Sequence, residues 1–105
     1  MTTDSSTRVV VVTGGSQNIG LAIAQRFLNG GAVVISADLS APDDDRLEFV
    51  RTDITREADV VALMSDVISR HGHLDVLVNN AGIAVEVATS LSSIARAWKA
   101  NVKDH

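Results

Sequence analysis

At 105 residues, 46% hydrophobic and 21% charged, the chain has the makeup of a folded domain rather than a disordered one, and its length sets a ceiling of one domain. A formal charge of −4 leaves no basic surplus for a nucleic-acid backbone or an anionic membrane surface, so neither partner is expected. The absence of cysteine rules out a disulfide framework and a thiolate metal site, fits a reducing cytoplasm, and gives no reason to expect a metal.

Residues 1–7 read as a frayed tail that lacks the cationic start of a signal peptide. Val9-Val10-Val11-Val12 then forms a β-branched run ending at Thr13-Gly14-Gly15, the pattern of a strand buried on both faces. From Asn18 to Asn29 the spacing of Ile19, Ile23 and Phe27 predicts a helix with Gln25 and Arg26 facing away, ended by Gly30-Gly31. A second strand is expected over Ala32 to Ala37, with Asp38 at its carboxyl end, followed by a polar loop around Pro42. Leu47 to Arg51 predicts a short third strand, and Thr55 is placed to cap a helix whose first turn carries Glu57 and Asp59. Val60, Val61, Met64, Val67 and Ile68 form that helix's apolar stripe, and Arg70-His71-Gly72 closes it, with His71 and His73 at a solvated end. Leu74 to Val78 supplies a fourth strand running into Asn79-Asn80-Ala81-Gly82, and Leu91, Ile94, Trp98 and Val102 mark a last helix.

Strands alternating with helices predict an α/β fold over residues 8–105: a Rossmann-like, doubly wound parallel sheet, truncated after its fourth strand and the following helix. In that arrangement Leu74 to Val78 presents an unpaired sheet edge. The carboxyl edge of the sheet would collect the segment from Thr13 to Gly20, Asp38, Asp53 and the segment from Asn79 to Gly82, where such folds bind ligands. The small residues between Thr13 and Gly20 let backbone N–H groups and a helix N-terminus approach a pyrophosphate, making an anion cradle. Neither G-x-G-x-x-G nor the lysine of a P-loop is present. Asp38 falls 18 positions after Gly20, where a carboxylate accepts hydrogen bonds from both hydroxyls of an adenosine ribose. No Arg or Lys stands in the loop or directly after Asp38 to balance a 2′-phosphate, so the expected cofactor is NAD rather than NADP. A solvated loop acid is the plainer alternative for Asp38.

Thr13, Gly14 and Gly20 match the T-G-x-x-x-G-x-G motif of the short-chain dehydrogenase/reductase family, and Asn79-Asn80-Ala81-Gly82 matches its N-N-A-G. The chain resembles the N-terminal, cofactor-binding portion of a classical member. Asn18 stands where the middle Gly of the motif would be; Asn tolerates left-handed backbone angles and can cap the following helix. The resemblance implies an oxidoreductase that transfers hydride between a secondary alcohol or ketone and nicotinamide. It implies contacts to the cofactor from Gly14, Ser16, Gln17, Asn18, Ile19 and Gly20, from Asp38 and Leu39 at the ribose, and from Asp53 and Ile54 at the adenine. Asn80, Ala81 and Gly82 would pass beside the cofactor, while helix capping is the rival role for Asp53 and sheet-knitting is expected of Asn79.

The spacing from Ile94 and Trp98 would place Asn101 on the buried side of the expected last helix, and the resemblance implies a catalytic role for it, holding a water in the proton relay to an active-site Lys. A helix-end Asn is the alternative. The sequence holds no Tyr, and its only lysines are Lys99 and Lys103, so the family's Y-x-x-x-K and its Ser are not within it; this stretch alone is expected to be inactive. The implied parent works on a small-molecule alcohol or ketone as a homodimer or homotetramer. Two rivals remain: a noncatalytic dinucleotide-binding or regulatory module, and an S-adenosylmethionine methyltransferase, which leaves Asn79 to Gly82 unexplained.

Overall fold

The computed structural model describes residues 6–80 and the backbone of residues 84–87. In chain order these form β1 (Val9–Thr13), α1 (Asn18–Asn29), β2 (Val33–Asp38), β3 (Glu48–Arg51), α2 (Glu57–His71), β4 (Val76–Asn79) and β5 (Ala84–Val87). The strands make one sheet in the order β3-β2-β1-β4-β5, parallel from β3 through β4. This is the Rossmann-like, doubly wound α/β architecture, and β1 sits at its centre.

The continuous valine run follows from that central place. Val9 and Val11, with Ile35, Ala37 and Leu77, pack against Val60, Leu63, Met64 and Val67 of α2. Val10 and Val12, with Val34, Val76 and Val78, face Ala24 of α1 and the half-buried Leu21, Ile23 and Phe27. Successive side chains of a strand point to opposite faces, so a strand covered by helices on both sides has no position left for a polar residue that lacks a partner. Gly72, at φ +85°, ends α2 in the left-handed region and donates its N–H to the Ile68 carbonyl at 2.8 Å.

Several expectations are corrected. Ile19 is 71% exposed, and the residues α1 buries are Gly20 and Ala24, because the helix meets the glycine loop and the sheet through its smallest side chains. On α2 the buried stripe is Val60, Leu63, Met64, Val67 and His71, while Val61 is 54% exposed; the stripe is rotated from the expected one so that Leu63 enters the core. Thr55 does not cap α2. Its hydroxyl and N–H both go to the Asp53 carboxylate, and Arg56 occupies the cap position without a side-chain hydrogen bond. His71 is buried rather than solvated, with Nε2 2.9 Å from Glu48 Oε1, and Arg70 reaches the same carboxylate, so β3 is tied to α2 by charge as well as by packing. His73 is half-buried, with Nε2 2.9 Å from the Thr7 carbonyl. The β4 edge is not unpaired: β5 runs antiparallel along it in the register Val76↔Val87 to Asn79↔Ala84. That hairpin satisfies the edge N–H and C=O groups within the chain. The expected last helix lies outside the described residues.

Candidate functional site

The parallel register lines up the carboxyl ends of four strands. Thr13 stands opposite Ala37 on one side and Asn79 on the other, and Asp38 stands opposite Arg51. Two backbone hydrogen bonds extend this row past the strand ends: Gly14 N–H donates to the Ala37 carbonyl at 2.8 Å, and Thr52 N–H donates to the Asp38 carbonyl at 2.9 Å. The loop after β1, the acid at the end of β2, the turn after β3 and the amides after β4 therefore meet on one edge. In an open α/β sheet that edge is where ligands bind.

The glycine loop is held in a single shape by its backbone. Gly14 has φ +67°, and a Cβ there would lie 3.1 Å from Asn80 Nδ2. At Gly20 a Cβ would lie 1.9 Å from the Gly14 carbonyl oxygen, so the first turn of α1 rests directly on the loop and admits no side chain. Asn18 has φ +54° and is the only described residue other than glycine with a positive φ. The expectation that Asn could replace Gly by accepting the left-handed region is met at this residue. Its expected role as a cap is not: α1 has Gln17 at its cap position, with no side-chain hydrogen bond. Gln17, Asn18 and Ile19 are all exposed, outside the core.

Asp38 is half-buried, and both its oxygens have backbone donors. Oδ1 accepts from Leu39 N–H at 2.7 Å and Oδ2 from Ser16 N–H at 3.2 Å. The carboxylate thus leans against the glycine loop across the groove between β1 and β2. Leu39 beside it is 54% exposed, an apolar surface at the same edge.

Asp53 is engaged locally. Its Oδ1 accepts from the Thr55 hydroxyl and N–H, and its own N–H donates to Asp59 Oδ2 at 3.0 Å. Donation from the Thr55 hydroxyl, then from the Thr55 N–H, holds the Asp53 carboxyl below the usual aspartate value. Ile54 follows it, half-buried.

At the end of β4 the two asparagines separate in role. Asn79 is buried, and its Oδ1 lies 3.2 Å from the Thr13 hydroxyl, which also accepts from Asn80 N–H at 2.9 Å. Thr13 thereby couples β1 to the strand end that follows β4. Asn80 projects toward Gly14 and Gly20. Ala81, Gly82 and Asn101 lie outside the described residues. Among the described residues there is no group of three or more His, Asp or Glu side chains suited to a metal ion, and no helix is long and apolar enough to cross a membrane.

One residue at this edge is missed by sequence reasoning. Ser36, in the middle of β2, is fully buried, with Oγ 2.8 Å from the buried Ser16 Oγ. Gly15 sits above it, and a Cβ there would lie 2.9 Å from Ser36 Oγ. The available signal is a lone hydroxyl inside the apolar run from Val33 to Ala37.

A doubly wound sheet with a glycine loop between its central strand and first helix is the fold of dinucleotide-dependent oxidoreductases. The chain belongs to the short-chain dehydrogenase family, whose model matches residues 8–103. L-fucose dehydrogenase of Mus musculus is 45% identical over 84 residues, which cover 73% of this chain and 31% of that protein. Among solved structures, ligand-free aldohexose dehydrogenase of Thermoplasma acidophilum is 37% identical with a TM-score of 0.69, covering 83% of this chain and 33% of that one. The 3-ketoacyl-(acyl-carrier-protein) reductase of Brucella melitensis, complexed with NADH, is 32% identical with a TM-score of 0.59, covering 67% and 32%. The chain thus spans about a third of the length of these relatives.

Proposed function

We propose that the chain is the NAD-binding part of an enzyme that moves hydride between a secondary alcohol or its ketone and nicotinamide. The observation that carries this reading is the Asp38 carboxylate, fixed by backbone donors 3.2 Å from the glycine-loop N–H of Ser16. The residues present fit a dinucleotide: a loop where a Cβ at Gly20 would strike the Gly14 carbonyl, a carboxylate beside it, and exposed apolar Ile19 and Leu39 at the same edge. In this reading the backbone from Gly14 to Gly20 approaches the pyrophosphate, with Ser16, Gln17, Asn18 and Ile19 lining it, and Asp38 with Leu39 receives the adenosine ribose. Asp53 and Ile54 border the adenine, and Asn80, Ala81 and Gly82 border the nicotinamide side. Bound nicotinamide supplies the hydride acceptor or donor. The NADH complex of the Brucella relative supports the cofactor class.

The chain holds no Tyr, so the proton-transferring groups of the proposed reaction come from elsewhere in a longer protein, and residues 1–105 alone give no turnover. Asn101 would then position a water in that protein's proton relay. L-fucose and aldohexoses, named in the relatives above, are the first alcohol substrates to test. A homodimer or homotetramer in the cytoplasm belongs to the same reading. The missing Tyr also favours one alternative, a dinucleotide-binding module without catalysis.

Cofactor choice tests the core of the proposal. The added phosphate of NADP would lie near Asp38, and like charges about 4 Å apart cost about 1 to 4 kcal/mol in wet to partly screened surroundings. Calorimetric titration should give NAD an advantage of about tenfold or more that Asp38→Ala removes. Equal affinities in the wild type would refute the assignment. Alcohol-dependent NAD reduction by the full-length protein separates the enzyme from the noncatalytic module.

A further inference from the structure

Ser36 is the polar exception in β2. It is fully buried between β1 and β3 and faces the α1 side of the sheet, where its neighbours Val10, Val12 and Val34 are apolar. A buried hydroxyl needs a partner, and this one finds it outside the sheet, in Ser16 Oγ at 2.8 Å. Ser16 is itself buried, and its N–H is the donor to Asp38 Oδ2 at 3.2 Å. Directly above Ser36 the chain has Gly15, where a Cβ would lie 2.9 Å from Ser36 Oγ and the same distance from the Val12 carbonyl. The loop therefore sits on the Ser36 hydroxyl with no space between them.

We propose that Ser36 is a positioning residue for ribose recognition: through Ser16 it sets the separation of the glycine loop from the Asp38 carboxylate, and so the preference for NAD over NADP. This rests on the cofactor reading given above. Leu39 N–H at 2.7 Å and Ser40 N–H at 3.4 Å both donate to Asp38 Oδ1, and Ser16 N–H at 3.2 Å donates to Oδ2, so three backbone donors fix the plane of the carboxylate. Oδ2, with a single donor, is the oxygen left more open to a ribose hydroxyl. Removing the Ser36 hydroxyl frees Ser16, and Asp38 keeps its Leu39 and Ser40 donors on Oδ1 while losing the constraint on Oδ2. Recognition of the ribose diol weakens, and contacts to the pyrophosphate do not.

The test is titration of the full-length protein with NAD and with NADP, alongside melting temperatures, for the wild type, Ser36→Ala, Ser16→Ala, the double variant, Asp38→Ala and Ser36→Ala/Asp38→Ala. The selectivity ratio should fall about three- to tenfold in Ser36→Ala, the scale of one lost hydrogen bond. Ser16→Ala should match it, the double variant should be no worse than either, and Ser36→Ala should change nothing further in the Asp38→Ala background. Ser16→Ala reads the same contact should Ser36→Ala fail to fold. A purely structural role would lower the melting temperature and both affinities together, leaving the ratio unchanged, and that result overturns the proposal. A wild-type preference for NAD that is lost in Asp38→Ala but kept in Ser36→Ala and Ser16→Ala overturns the role of Ser36 alone. Equal wild-type affinities overturn the cofactor reading and this proposal with it.

Discussion

Replacing Gly20 by Ala would test how tightly the first turn of α1 is pressed against the loop. The added methyl carbon would start 1.9 Å from the Gly14 carbonyl oxygen and 2.7 Å from its carbon. Non-bonded heavy atoms settle at about 3.5 Å, so the helix or the loop must move by more than about 1 Å. Neither side yields easily. The Gly14 N–H is bonded to the Ala37 carbonyl at 2.8 Å, and α1 is seated on the sheet by the buried Ala24. Overpacking costs about 1 to 3 kcal/mol, and a clash with backbone on both sides belongs at the upper end. Urea unfolding should therefore show a loss of about 3 kcal/mol, and a loop displaced by about 1 Å should weaken NAD binding by about tenfold or more. Gly31→Ala is the control: a side chain there meets nothing within 4 Å, though φ is +96°, so it should cost about 1 to 2 kcal/mol in backbone strain and leave NAD binding alone. Wild-type stability and wild-type NAD affinity in Gly20→Ala would refute the close-approach argument.

Asn18 at φ +54° should tolerate Gly with stability retained or slightly raised, whereas Asn18→Val should lose about 1 to 2 kcal/mol by thermal unfolding. Leu63→Ala, which empties a buried site, should cost about 2 to 5 kcal/mol, and Val61→Ala, on the exposed side of α2, should stay within about 0.5 kcal/mol of wild type; the reverse order would restore the stripe read from the sequence. The depressed carboxyl of Asp53 should contribute stability above the unfolded value near 3.8 and lose it as pH falls through that value toward its folded one. Asp53→Asn should therefore be less stable than wild type at neutral pH, with the gap closing in acid; a gap independent of pH would contradict the Thr55 hydrogen bonds as its source.

The strands and helices were legible because β1, β2 and β4 are buried on both faces and read as short, largely apolar runs, and because Gly72 marks a helix end that only a left-handed residue makes cheaply. The faces of the helices were less so. Ile19 fits the spacing of a buried residue yet is exposed, because the contact is set by how closely Gly20 can approach Gly14, a tertiary fact that no period records. Val61 and Leu63 changed places for a related reason: both are apolar, and only the docking angle of α2 decides which one the sheet receives. Asp38 could be placed at the sheet edge from the sequence, but its bond to Ser16 required the loop in three dimensions. Ser36 reads in the sequence only as a lone hydroxyl in an apolar run, and that signal gains a meaning once its partner in the loop after β1 is seen.

The most direct test of the account is amide chemical-shift mapping of the isotopically labelled chain titrated with NAD. Binding at the carboxyl edge of the sheet predicts the largest shifts in the backbone N–H groups from Gly14 to Gly20 and in Leu39 and Asn80, with little change from Arg26 to Ala32 at the opposite edge. Shifts centred on Arg26 to Ala32, or none at millimolar NAD, would contradict the claim that this chain is a dinucleotide-binding unit.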